Sequence, residues 1–184
     1  NYRISLILAI FTTISFAQVQ PTKYIKLISK ESLKTNLYVI SSDEMEGRNT
    51  GTKGQKKAGE YLISQYIKAG ISFPEGATDF YQRIPAASLN SRRSKNLPDS
   101  ENIWAFIKGS EKPDEVLVIS AHYDHIGVEN GEIYHGADDD GSGTVAVLEI
   151  AKAFQKAKEE GHGPKRSILF LHVTGEEHGL LGSK

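Results

Sequence analysis

Hydrophobic positions along this chain change period several times, and each change marks an element. Leu33, Leu37 and Ile40 recur at the spacing of one helical face, with Ser29 placed to cap its start. The polar run Glu46-Gly47-Arg48-Asn49-Thr50-Gly51 has loop chemistry. It is followed by Thr52 and Gln55 at the spacing of a capping box, and then by Ala58, Leu62, Tyr66 and Ala69 on a second helical stripe that Gly70 stops. From Phe73 to Ser100 the chain is rich in Pro, Ser and Asn, with Tyr81 to Ile84 as a short strand between loops. Asn102 to Lys108, Val116 to Ala121 and Ser167 to Val173 each predict a strand, and Ser142 to Ala157 predicts a helix with Val145, Leu148 and Phe154 facing inward.

Strand, helix, strand over this length makes a crossover unit, which favours parallel pairing within an α/β sheet. In such sheets ligands bind beyond the carboxyl ends of the strands. His122-Tyr123-Asp124 and Gly175-Glu176-Glu177 each follow directly on an apolar strand, so both are expected at the same edge.

Composition narrows the chemistry. The 184 residues carry a formal net charge of -1, which gives no electrostatic reason to expect nucleic acid, and the basic cluster Arg92-Arg93-Ser94-Lys95 reads as a solvated loop. With no cysteine in the chain, any metal must be held by imidazole and carboxylate, and neither a disulfide framework nor a lipoprotein anchor is available. Residues 1–17 read as an export signal: Arg3 is a positive flank, Ile4 to Ile14 are mostly apolar, and Ser15-Phe16-Ala17 ends small-x-small. The apolar run falls short of the roughly 18 to 20 residues of a spanning helix. The expected location is therefore secreted or periplasmic, with residues 18–184 as part of one domain and no membrane attachment after cleavage. Asn1 is not an initiator and Met45 is the only methionine, so the chain is expected to be cut at both ends.

Three segments carry candidate chemistry. His122 is placed to ligate a metal through one imidazole nitrogen while Asp124 orients the ring through the other. Asp138-Asp139-Asp140 packs like charges together, which is costly unless a cation or the next helix N-terminus offsets them. One aspartate can cap that helix while another bridges two metals. Glu176-Glu177 sends two carboxylates in different directions from adjacent backbone positions, so one can bind metal while the other takes a proton from water. Against these stand plainer alternatives: a structural histidine, a cap loop and a solvated helix start. A calcium loop fails because Gly136 and Val147 fall where carboxylates are required, and Ser142 lacks the flanking glycines of a nucleophile elbow. His125, His135, His162, His172 and His178 are read as non-ligands.

Taken together, Ser120 to His125, Gly136 to Gly143 and Thr174 to Ser183 closely resemble the co-catalytic di-zinc aminopeptidases, a family that includes glutamate carboxypeptidase-like enzymes and glutaminyl cyclases. Upstream, Ser42 to Arg48 and Gly51 to Gly54 are similar to the family's N-terminal segment. The resemblance implies a three-layer αβα sandwich with a mixed, mainly parallel central sheet, of which this chain is the N-terminal portion. It implies that His122 binds one zinc, Asp139 bridges both, Glu177 binds the second, Glu176 is the general base and Asp124 supports His122. The family has Asn on one or both sides of the bridging aspartate, where this chain has Asp138 and Asp140. The family's further aspartate and histidine ligands come from segments downstream of the paired glutamates, beyond Lys184. The implied activity is removal of N-terminal residues from peptides. A non-catalytic relative or inactive fragment of the same fold, a carboxypeptidase and glutaminyl cyclisation are the alternatives.

Overall fold

A computed structural model describes residues 21–90 and 94–184. The expected export signal, and Arg92 and Arg93 of the basic cluster, lie outside the described residues. The elements run α1 (Pro21–Ile25), α2 (Lys30–Ile40), a 3-10 helix (Asp43–Arg48), α3 (Lys53–Lys68), β1 (Tyr81–Ile84), α4 (Ala86–Leu89), β2 (Ser100–Ile107), β3 (Lys112–His122), β4 (Gly127–Glu129), β5 (Glu132–Tyr134), α5 (Ser142–Glu159) and β6 (Arg166–Val173). Among the described residues, no helix is long and apolar enough to cross a membrane.

The main sheet has the order β1-β2-β6-β3. It is mixed, and parallel pairing is confined to the β3–β6 seam, the other two seams being antiparallel. The crossover through α5 returns the chain in the same direction and so fixes that parallel seam. β1 and β2 run in opposite directions and pair as antiparallel neighbours, as a chain that doubles back allows.

Alternation sorts the strands into two faces. Ile103, Ala105 and Ile107 of β2, with Ile168 and Phe170 of β6, are essentially inaccessible to water. They share one core with Ile40, Ala58, Leu62, Tyr66, Val145, Leu148 and Ala151 from the helices. The opposite face carries Trp104, Phe106, Leu169 and Leu171, each half-buried. β3 is one of the two edge strands, and Val116, Leu117 and Val118 on it are about half exposed, at 49%, 53% and 50%.

Local sequence explains most element boundaries. Ser29 caps α2 through the Ser32 N–H at 3.0 Å, and Ser32 returns the bond to the Ser29 N–H. Thr52 does not form the expected capping box: its hydroxyl donates to the Asn49 carbonyl, and Gln55 turns inward, where burial and polar partners hold it. Pro21 opens the short helix α1, which packs against α5. The β4–β5 hairpin turns at Asn130-Gly131, both with positive φ (53° and 84°), the pair favoured by a type I′ turn.

Buried polar groups are concentrated behind the carboxyl ends of the strands. His172 of β6 sits in the core with Nε2 2.7 Å from the Tyr66 hydroxyl, and burial pulls its pKa down to about 3. It is a neutral core histidine, consistent with its reading as a non-ligand.

Candidate metal centre

Register brings the candidate residues together. β3 and β6 are parallel, and His122 pairs with Val173, so the two chains leave the sheet side by side. The first continues as Tyr123-Asp124-His125, the second as Thr174-Gly175-Glu176-Glu177. The turn 137–141 then delivers the aspartates against them, directly before α5.

The three adjacent aspartates separate at once. Asp140 accepts the His122 main-chain N–H at 3.2 Å and the Gly143 N–H in the first turn of α5 at 2.9 Å. Gly143 is needed for that approach, because a Cβ there would lie 2.1 Å from the Asp140 carboxylate. Asp139 projects the other way, with Oδ1 3.1 Å from His122 Nε2, and its side chain is 69% exposed. The carbonyl of Asp138 accepts from Ser142.

The paired glutamates separate likewise. Donor atoms of His122, Asp139 and Glu177 all lie within 4.8 Å of one another. Glu176 is outside that trio, with Oε2 3.9 Å from His122 Nε2. Asp124 is completely buried beneath them, accepting the Thr50 hydroxyl at 2.9 Å and the Glu176 N–H at 3.2 Å. Its carboxylate stands 3.7 Å from His122 Nδ1, beyond hydrogen-bond range, and the atom that accepts from Nδ1 in that tautomer is the Asp124 carbonyl at 3.1 Å. The ring is thus oriented through the main chain of Asp124, and the carboxylate orients the glutamate loop. Burial depresses the His122 pKa, but the Asp124 carboxylate and carbonyl, followed by Asp140, outweigh it and raise the ring to about 9.

The glutamate loop rests on a network of neutral groups. Gln55 donates to the Thr174 hydroxyl at 2.6 Å, and Ser100 lies within hydrogen-bond range of both. Asn102 accepts the Thr174 N–H at 2.9 Å and donates to the Gly182 carbonyl at 2.7 Å.

His125, read from the sequence as a non-ligand near the site, has Nδ1 2.6 Å from Glu177 Oε1. Arg48, which the sequence did not single out, reaches the turn after His122 and the turn before Asp139. The other histidines lie apart from the trio: His135 contacts the Ser41 carbonyl, His178 the Asn49 amide, and His162 the Tyr24 ring.

One imidazole and two carboxylates within reach of a single point suit zinc or another borderline divalent ion. Zinc sits about 2.0 to 2.2 Å from such donors and takes four or five of them, so these side chains supply part of a coordination shell.

Residues 102–184 match the model of peptidase family M28. A probable zinc metalloprotease of Leptosphaeria maculans is 35% identical over 179 residues, covering 92% of this chain and 40% of that protein. In fold, the chain resembles the Legionella pneumophila LapA aminopeptidase (TM-score 0.62, 21% identity, 89% of this chain and 39% of that one). It also resembles a Porphyromonas gingivalis glutaminyl cyclase (TM-score 0.60, 24% identity, 85% and 52%). The chain spans well under half the length of the curated relatives it matches.

Proposed function

We propose that this chain carries the metal-binding end of an exported zinc exopeptidase that removes N-terminal residues from peptides. The observation that carries the proposal is the convergence of His122, Asp139 and Glu177 within 4.8 Å, with Glu176 beside them but outside the trio. Export rests on the sequence of residues 1–17 alone.

In this reading His122, Asp139 and Glu177 would be the side chains of this chain that hold zinc, with Asp139 placed to be shared between two ions. When bound, zinc polarises the scissile carbonyl and lowers the pKa of water toward about 7. Glu176 accepts the water proton and passes it to the leaving amine. Asp124 holds the Glu176 backbone, and Asp140 holds His122 through its main-chain N–H. No side chain needs to form a covalent bond with substrate.

The likeness to a glutaminyl cyclase supports a second reading, in which an N-terminal Gln closes on itself with loss of ammonia. Products separate the two. The intact protein, incubated with a peptide beginning in Leu and one beginning in Gln, is expected to release free N-terminal amino acid in a chelator-sensitive, zinc-restored reaction. Loss of ammonia from the Gln peptide, with the Leu peptide left whole, would favour cyclisation.

A further inference from the structure

We infer that Arg48 is a positioning residue of the metal centre: one buried guanidinium ties the turn after His122 to the turn before Asp139, so that zinc affinity depends on it. The inference rests on the zinc site proposed above.

Arg48 ends the 3-10 helix Asp43–Arg48 and is inaccessible to solvent. Its Nε donates to the Tyr123 carbonyl at 2.8 Å, Nη1 to the carbonyls of Ile40 at 2.6 Å and His135 at 2.8 Å, and Nη2 to that of Gly136 at 2.8 Å. Tyr123 stands between His122 and Asp124, and Gly136 opens the aspartate turn. The Arg48 carbonyl in turn accepts the His125 N–H at 3.1 Å. One side chain therefore spans the end of α2, the turn after His122 and the turn before Asp139, using the fixed fork of donors that only guanidinium offers.

Two further features set this residue apart from an ordinary buried arginine. All four acceptors are neutral main-chain oxygens, so the charge is not cancelled by a touching carboxylate and acts on the site. Burial lowers the guanidinium pKa to about 10, while Asp124, Asp140, Asp139 and Glu177 oppose that fall, and the group stays protonated at neutral pH. In addition, Glu46, Gly47 and Arg48 all have positive φ, at 50°, 65° and 53°. For Glu46 and Arg48 such backbone persists only where surrounding bonds over-determine it. A Cβ at Gly47 would meet the Gly127 and Tyr134 carbonyls at 2.4 and 2.5 Å, so the turn is pressed against the β4–β5 hairpin.

The test compares zinc binding, not turnover, in variants of the intact protein. Arg48→Lys keeps the charge but offers donors from a single nitrogen and cannot span these carbonyls. It is expected to raise the zinc Kd by about 10- to 100-fold, the usual effect of losing a group that orients ligands, and to alter the visible spectrum of the cobalt-substituted protein. Leu62→Ala, in the core on α3, is the control: it should lose stability while leaving zinc Kd and cobalt spectrum unchanged. An Arg48→Lys protein with wild-type zinc affinity and cobalt spectrum would overturn the inference. If that variant does not fold, the wild type decides: the Arg48 side-chain N–H resonances should shift on zinc loading, and unchanged resonances would overturn it. A wild-type protein that binds no zinc overturns the zinc site itself, and is told apart because no variant is involved.

Discussion

The loop bearing Asp138, Asp139 and Asp140 and the loop bearing Glu176 and Glu177 face each other at one end of the sheet, but they are held by different physics. The aspartate loop is anchored to a helix start: Asp140 satisfies a first-turn N–H of α5 and reaches back to His122. Charge on N–H dipoles does the work, at a site where Asp139 remains mostly in water. The glutamate loop is anchored from beneath, where Gln55, Ser100, Asn102 and Thr174 bond one another out of contact with solvent. Asp124 is the buried charge beneath it, accepting the Glu176 N–H, and His125 meets the Glu177 carboxylate from the side. A pair of adjacent like charges is thus divided twice, once by a helix cap and once by a buried network. In each case one carboxylate joins His122 in the ligand trio and its neighbour is kept out of it.

Perturbing the two anchors should show the difference. Asn102→Ala is expected to have the larger effect, because it strands the buried Thr174 N–H and Gly182 carbonyl at about 1 to 3 kcal/mol each. Chemical denaturation of the intact protein should show a loss of about 2 to 6 kcal/mol. Asp140→Ala removes a cap contact and should cost about 1 kcal/mol by the same measurement. Asp140→Asn, which can still accept the Gly143 N–H, should recover most of that loss. If Asp140→Ala proved as damaging as Asn102→Ala, the aspartate loop would be held by more than a helix start.

Much of this was legible in the sequence because the informative residues are local. The helical stripes of α2, α3 and α5 and the apolar runs of β2, β3 and β6 follow from periodicity, and the strand order brings their ends together. The three motifs are contiguous, so their residue types could be read before their positions were known. What could not be read depends on contacts far apart in the chain. Gln55 looked like half of a capping box, yet its partner Thr174 lies 119 residues away. The identical charges of Asp138, Asp139 and Asp140 do not reveal which one caps, since that is set by the backbone angles of the turn. Arg48 binds main-chain carbonyls, and any residue type can offer those, so no pattern at Tyr123, His135 or Gly136 announces it. The Asn130-Gly131 turn is a local signal of a different kind, which the reading of periodicity passed over because the two strands beside it are only three residues long.

The division of labour between neighbouring carboxylates is the centre of this account, and the most direct measurement sets Glu176→Gln beside Glu177→Gln in the intact protein, reading bound zinc and turnover on the same samples. Glu176→Gln should keep its zinc and lose about 10² to 10⁴-fold in kcat, as expected for removal of a general base, whereas Glu177→Gln should lose zinc. Near-normal turnover by zinc-loaded Glu176→Gln, or full zinc retention by Glu177→Gln, would contradict it.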